Sequence, residues 1–431
     1  MKTLIKNGRL VDPSSDRDGA FDLLIKDDHI EAVEGQGKID SSADFKIDAK
    51  GKIVSPGFID LHVHFREPGF THKEDLKSGA RAAVAGGFTT VCCMANTKPV
   101  LDTPELLTWI LTRSREIGLA NILPIAALTV GQKGERETNF DALAKAGAVA
   151  FSDDGGTVMN RELMKHAMLK AKDLGLPIIE HCEDQDLVAG GVMNDGVVSL
   201  KLGLKGNTRK AEIDLLKRDL ELAEETGAKF HVAHLTTKEG VKLVREAKEK
   251  GLNVTAEVTP HHLTLTENKI AEFPFDTNYK IGPPLRTAAD VEALRNGVRD
   301  GVIDFFATDH APHQRDEKEL PFSQAPFGVI GLETALPIYL SLVEDGVISM
   351  SRCISLLTFG PAKFLEKNIG TLKKGSQADI TIFDPECTYT IDVENGFSKG
   401  RNCPFHGLRV KGKVTDVFVK GRHIFKEVVL Q

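Results

Sequence analysis

Apolar residues along this chain follow two rhythms. Between residues 57 and 308, short apolar runs rich in Val, Ile and Phe alternate with longer amphipathic segments. The runs are 57–65, 89–94, 122–128, 148–152, 177–181, 229–234, 253–258 and 304–308. Between them lie helix-length stretches at 73–85, 104–116, 160–174, 210–226 and 237–250. Such alternation predicts parallel strands buried on both faces by helices. Eight units fit a closed (β/α)8 barrel better than an open doubly wound sheet, and no G-x-G-x-x-G turn marks a nucleotide-binding open sheet. The ends of the chain differ. Strand-like runs at 3–5, 22–25 and 30–33, and again at 378–383, 388–391, 408–411 and 414–419, are separated by turn residues. Neither end has enough strands for a core. The expected fold is therefore α/β: a TIM-like barrel over 56–366 with a small β-sandwich subdomain built from 1–55 and 367–431.

Composition narrows this reading. The 431 residues are 41% hydrophobic and 27% charged with a net charge of -7, which argues for a globular protein and against a broad nucleic-acid surface. No uncharged apolar run reaches the ~18 residues of a membrane helix. Lys2, Lys6 and Gly8 arrive too early for a secretion signal. Six cysteines without a C-x-x-C pair read as reduced, buried thiols, with Cys92 and Cys93 on opposite faces of one strand. The expectation is a soluble cytoplasmic protein.

Ionisable residues gather at the C-terminal ends of the predicted strands, the rim where barrels build their active sites. His62 and His64 stand at i and i+2, so both imidazoles share one face of an extended strand. Asp153-Asp154, Glu180-His181, His234 and Asp309-His310 end four other strands. A lone core histidine is usually structural. Four histidines and two aspartates on five strand ends would be costly to desolvate unless a cation joined them. Nitrogen and carboxylate donors without thiolate suit zinc, with manganese or cobalt as substitutes. Six ligands exceed one tetrahedral ion, favouring two metals that share a carboxylate.

The stretch Asp60-Leu61-His62-Val63-His64-Phe65-Arg66-Glu67-Pro68-Gly69, the stretch Ala307-Thr308-Asp309-His310-Ala311-Pro312-His313 with Lys318 after it, and Met94-Ala95-Asn96-Thr97-Lys98-Pro99 between them resemble the signatures of class I dihydroorotases, within the amidohydrolase superfamily. The resemblance covers nearly the whole chain. It implies reversible, zinc-dependent cyclisation of N-carbamoyl-L-aspartate to (S)-dihydroorotate in pyrimidine biosynthesis. It implies two zinc ions per subunit: His62, His64 and Asp309 on one, His181 and His234 on the other, Asp154 between them where many amidohydrolases carry a modified lysine. Asp153 stays open as the bridge, since adjacent strand residues face opposite ways. A zinc-bridging hydroxide, its pKa lowered toward ~7, would attack the ring carbonyl, with Asp309 as general base and acid.

The resemblance also implies substrate contacts from His64, Arg66, Asn96 and His313, with backbone contacts from Phe327 and Gly328. Arg66 offers a planar fork for a carboxylate. The Pro- and Gly-rich segment 313–331 suits a loop that closes over substrate, or an ordinary surface connection. One position departs from the family: Gly282-Pro283-Pro284-Leu285-Arg286 has glycine where many members have asparagine. Asn278 could replace that contact only with a shifted loop, and His261 and His262 read as supporting or structural. A homo-oligomer, with a homodimer as one form, and a complex with aspartate transcarbamoylase complete the expectations, with no nucleic-acid or membrane partner. The rival readings are an allantoinase- or hydantoinase-like cyclic amidohydrolase, and an inactive scaffold subunit of aspartate transcarbamoylase.

Overall fold

The structure, a computed structural model, describes residues 1–39, 42–426 and 429–430. Strands Phe58–Val63, Phe88–Cys93 and Asn121–Pro124 pair in parallel, as do Ile178–Glu180, Phe230–Val232, Val254–Val258 and Phe305–Phe306. Parallel bridges from Phe151 to Ala126 and Ile178, and from Val63 to His310, join the two sets and close an eight-stave barrel. The fourth stave is weaker than the strand expected at 148–152. Phe151 alone bridges both neighbours, while Val149 N–H and Ser152 N–H reach Pro124 O and Ala126 O on one side and Phe151 N–H reaches Pro177 O on the other. The chain turns at once into Asp153-Asp154-Gly155, so the ladder has no room to extend.

The five predicted helices are present, and three of them start at side-chain caps. Asp75 accepts from Lys77 and Ser78 N–H at the head of Leu76–Ala85, Asn160 caps Arg161–Asp173 in the same way, and Thr237 caps Lys238–Glu249. Cys92 packs with Ile59, Leu61, Met94 and Ile125 inside the barrel. Cys93 packs outward with Val91 and the helices. The thiols are free; Cys387 is half-buried rather than buried.

A ten-stranded sheet draws on both ends of the chain, with Ile53–Pro56 pairing between Arg9–Asp12 and Ile380–Thr390. The runs expected separately at 378–383 and 388–391 form one bulged strand, Ile380–Thr390. Those at 408–411 and 414–419 likewise merge into Arg409–Val419, because Gly412 (φ 101°) bends the strand without ending it. Arg17–Lys26 pairs with Arg9–Asp12 through its first half and with Lys2–Lys6 through its second, turning the corner between two layers. Alternation then divides the side chains: Phe418 and Ile382 fill the β core, while Val417, Val419 and Phe383 face the barrel. Phe383, fully buried with its ring centroid 6.1 Å from that of Phe58, joins the two units. Phe383→Ala is expected to cost about 3–5 kcal/mol, read as a lowered midpoint of urea unfolding.

Candidate functional site

The first stave has a defect that creates the site. Its pairing with Phe88–Cys93 slips between Asp60 and Val63. Ile59 and Leu61 fill the barrel interior below the slip, and Val63 and Phe65 face the helices above it. His62 and His64 therefore both turn inward at the rim. Asp60, wholly buried beneath them, accepts from His62 N–H and from the backbone and hydroxyl of Thr308, tying the first stave to the last.

Asp154 stands at the centre of the convergence. Its Oδ1 lies 3.4 Å from His62 Nε2, 3.4 Å from His234 Nε2 and 3.6 Å from His181 Nδ1, and its Oδ2 lies 3.4 Å from His64 Nε2. Two groups able to hold a metal result, His62–His64–Asp154 and Asp154–His181–His234, sharing that one carboxylate. Asp309 borders the first, 3.0 Å from His64 Nε2 and 3.5 Å from His62 Nε2. Asp153 points elsewhere: its carboxylate accepts from Leu128 N–H and from the N–H and hydroxyl of Thr129, so it serves the neighbouring stave.

The donor set fits a cation. His62 Nε2 and Asp154 Oδ1 are buried without a hydrogen-bond partner, although they face one another. His181 donates Nε2–H to Glu183, which leaves its Nδ1 as an acceptor only 2.9 Å from His234 Nε2. Two ring nitrogens at that distance repel unless a proton or a metal lies between them. Charge tells the same story. Burial alone would raise the Asp154 pKa, but the charge on His62 and the close imidazoles of His181 and His234 hold it well below the carboxylate range. Burial opposes protonation of His181, yet Asp154 and Glu183 lift it from the ordinary 6.5 to about 10. Burial opposes protonation of His62 too, and Asp154, Asp309 and Glu257 raise it nonetheless. Protons are retained where positive charge is needed. His234, Asp309 and Arg66 also hold positive φ (29°, 48° and 52°), a strained backbone at three rim positions.

The cluster opens into a cavity of about 300 Å³ whose walls include Arg66, Asn96, Gly282, His313, Phe327 and Gly328. Arg66 has no carboxylate partner among the described residues. Its Nε donates to Pro312 O at 3.3 Å, and burial lowers its pKa to about 10 against the pull of Asp309 and Asp154. Asn96 has a partner that its sequence context did not suggest: its Oδ1 accepts from His64 Nδ1–H at 2.9 Å, leaving its amide nitrogen beside Gly155. His313 donates Nε2–H to Phe327 O at 2.8 Å. Gly328 N–H meets Lys280 O, and Gly328 O accepts from Lys318 Nζ and Asn402 Nδ2. Buried Lys318 thus ties the 313–331 loop to itself, while Lys280 and Asn402 hold it at the cavity wall. Asn278 lines a separate cleft with Phe275 and Asp276 and does not stand in for the missing asparagine. His262 donates to Pro283 O and so holds the Gly282 loop.

Sequence reasoning missed Glu257 and Glu183. Glu257 Oε1 accepts from His62 Nδ1–H at 2.7 Å and Oε2 from His231 Nε2–H at 3.0 Å, while Glu183 Oε2 meets His181 Nε2 at 2.9 Å. A single charge inside the apolar run 253–258 was the available signal for the first. His310 and Glu180 turn away from the cluster. His310 Nδ1 accepts from Gly331 and Leu332 N–H, and Glu180 lies against Asp219.

A family model described as dihydro-orotase-like matches residues 51–240. The chain is 48% identical over 427 residues to a dihydroorotase of Syntrophotalea carbinolica, covering 99% of each chain. It is 45% identical to one of Aquifex aeolicus, covering 99% of this chain and 100% of that protein. Among solved structures, an L-hydantoinase (dihydropyrimidinase) from Arthrobacter aurescens superimposes with a TM-score of 0.88 at 25% identity, covering 100% of this chain and 97% of the other.

Metal-free protein should show a pH signature. The raised pKa of His181 contributes stability that is complete below ~6.5 and lost as pH rises toward about 10, and the raised pKa of His62 acts in the same direction. Melting temperature without metal is expected to fall over that interval, and added zinc to remove the fall.

Proposed function

Because the chain belongs to the dihydroorotase family, we propose that its rim cluster holds two zinc ions bridged by Asp154 and that the site interconverts N-carbamoyl-L-aspartate and (S)-dihydroorotate. The family is metal-dependent, and the carrying observation is that Asp154 belongs to both histidine groups while Arg66, without a carboxylate partner among the described residues, faces the same cavity. His62 and His64 with Asp309 would hold one ion, His181 and His234 the other. Bound metal would polarise the ring carbonyl and supply an activated water at neutral pH.

The protein's own groups do the rest. The Arg66 guanidinium holds the substrate carboxylate through two N–H donors, since a planar fork matches its oxygens. Asn96 aligns the His64 ring through Nδ1 and turns its amide nitrogen to the cavity. Asp309, against His64 and His62, takes the proton released on attack and delivers it to the departing ring nitrogen; in cyclisation it works in reverse. His313 and the backbone of Phe327 and Gly328 close the far wall and exclude water. Hydantoinase structures share this architecture as a related family; identities of 44–48% to dihydroorotases favour the present substrate.

No helix among the described residues is long and apolar enough to cross a membrane. A cytoplasmic setting, self-association and a complex with aspartate transcarbamoylase belong to the same reading, and resemblance alone supports them.

The test is turnover of dihydroorotate and of N-carbamoyl-L-aspartate, with hydantoin and allantoin as controls, before and after chelation. Activity on the dihydroorotate pair is expected to vanish with chelator and return with zinc. Activity on hydantoin alone would defeat the substrate assignment. Asp309→Asn should lower kcat about 10²–10⁴-fold in a protein that still takes up metal. Arg66→Met should act chiefly on KM for dihydroorotate.

A further inference from the structure

Each histidine group has one ring backed by a buried carboxylate and one that is not. In the first group His62 Nδ1–H meets Glu257 Oε1 at 2.7 Å, whereas His64 Nδ1–H meets only the neutral amide oxygen of Asn96. In the second, His181 Nε2–H meets Glu183 Oε2 at 2.9 Å, whereas His234 Nδ1 has no partner. The two carboxylates fix opposite tautomers. The proton of His62 sits on Nδ1 and its Nε2 faces inward; the proton of His181 sits on Nε2 and its Nδ1 faces inward. Each ring presents the nitrogen that lies nearest Asp154.

Both carboxylates are themselves held. Glu257, 0% exposed, also accepts from His231 Nε2–H at 3.0 Å and from the backbone N–H of His234 at 3.3 Å. His231 in turn bonds Thr255 Oγ1 at 2.9 Å and stacks on Phe305 with ring centroids 4.8 Å apart. Glu183, 5% exposed, accepts from Asn207 Nδ2 at 2.7 Å, and Asn207 O accepts from the buried Arg286. Neither carboxylate can rotate without abandoning its donors.

We infer that Glu257 and Glu183 are positioning residues, one for each ion, that set the tautomer and electron density of His62 and His181 and thereby the separate affinities of the two metal positions. The inference rests on the metal reading above. A carboxylate behind an imidazole orients the ring and makes the inward nitrogen more basic, and loss of such a partner typically weakens metal binding about 10–100-fold. The unbacked rings, His64 and His234, leave each ion with one firmly placed and one more loosely placed histidine.

The experiment is competition for zinc between the metal-free full-length protein and a chromophoric chelator, for wild type, Glu257→Gln, Glu183→Gln and the double variant. In Glu257→Gln the side-chain amide keeps an oxygen acceptor for His62, and His231 can answer the new amide donor by shifting its own proton to Nδ1 and donating to Thr255. The metal-free melting temperature should therefore stay close to wild type. Two ions per wild-type chain are expected, with each single variant losing about 10–100-fold at one position and the double variant at both. Should Glu257→Gln not fold, Glu257→Asp, which retracts the charge, carries the same expectation. Wild type that takes two ions while folded single variants match it at both positions overturns this inference alone. Wild type that takes none overturns the metal reading and this inference with it.

Discussion

One buried carboxylate organises this molecule. Asp154 is 3% exposed and has four imidazoles within 3.6 Å of its oxygens. An isolated carboxylate at such depth would protonate rather than stay charged. The neighbouring imidazoles, His62 above all, reverse that outcome, and the cost then falls on His62 and His181, because retaining protons on buried rings is also unfavourable. A divalent cation in each of the two groups that share Asp154 would resolve both problems together, neutralising the carboxylate and taking the ring nitrogens as ligands. The rest of the rim can be understood as support for that compromise, from the Asp60 tie between the first and last staves to Glu257 and Glu183 behind the rings.

The barrel supplies what a regular strand could not. Strict alternation would have placed His62 on the helix-facing side once Ile59 and Leu61 occupied the interior. The slip in pairing after Asp60 changes the parity and turns both histidines inward. At the fourth stave, pairing is reduced to Phe151 so that the chain can turn sharply and bring Asp154 over the barrel axis, while Asp153 secures the turn through Thr129. Positive φ at Arg66, His234 and Asp309 follows the same logic: local regularity is surrendered at the rim, just past the ends of three staves.

Much of this was legible in the sequence because it depends on local signals. Apolar runs, helix-length amphipathic stretches and the His62–His64 spacing are read within a few residues. What was illegible depends on parity and on distant partners. Adjacent Asp153 and Asp154 are indistinguishable until the turn after Phe151 fixes which one faces the axis. Glu257 lies 195 residues from His62, so no local pattern connects them. The two bulged strands of the terminal sheet looked like four, since turn-like residues inside a strand signal bulges as readily as ends.

The two ends of the cavity differ in how ready they are. At the metal end, polar atoms such as His62 Nε2 and Asp154 Oδ1 stand without partners, so a cation enters a cradle already shaped for it. At the substrate end the donors are committed: His313 to Phe327 O, and both polar groups of Gly328 to Lys280, Lys318 and Asn402. Arg66 is the exception, with most of its guanidinium unclaimed by any carboxylate among the described residues. On the proposed reading an incoming anion would gain a charge-assisted pair at Arg66 and meet the uncommitted amide nitrogen of Asn96, while contacts with His313 and Gly328 would have to be exchanged for existing ones. Phe327 lies 3.5 Å from where a Cβ of residue 282 would stand, so Gly282 gives the loop a flat seat rather than a polar contact. A cradle that could hold a metal is thus built into the resting fold, and on the proposed reading substrate selection would depend on how much the Phe327–Gly328 segment yields when Arg66 draws a carboxylate in.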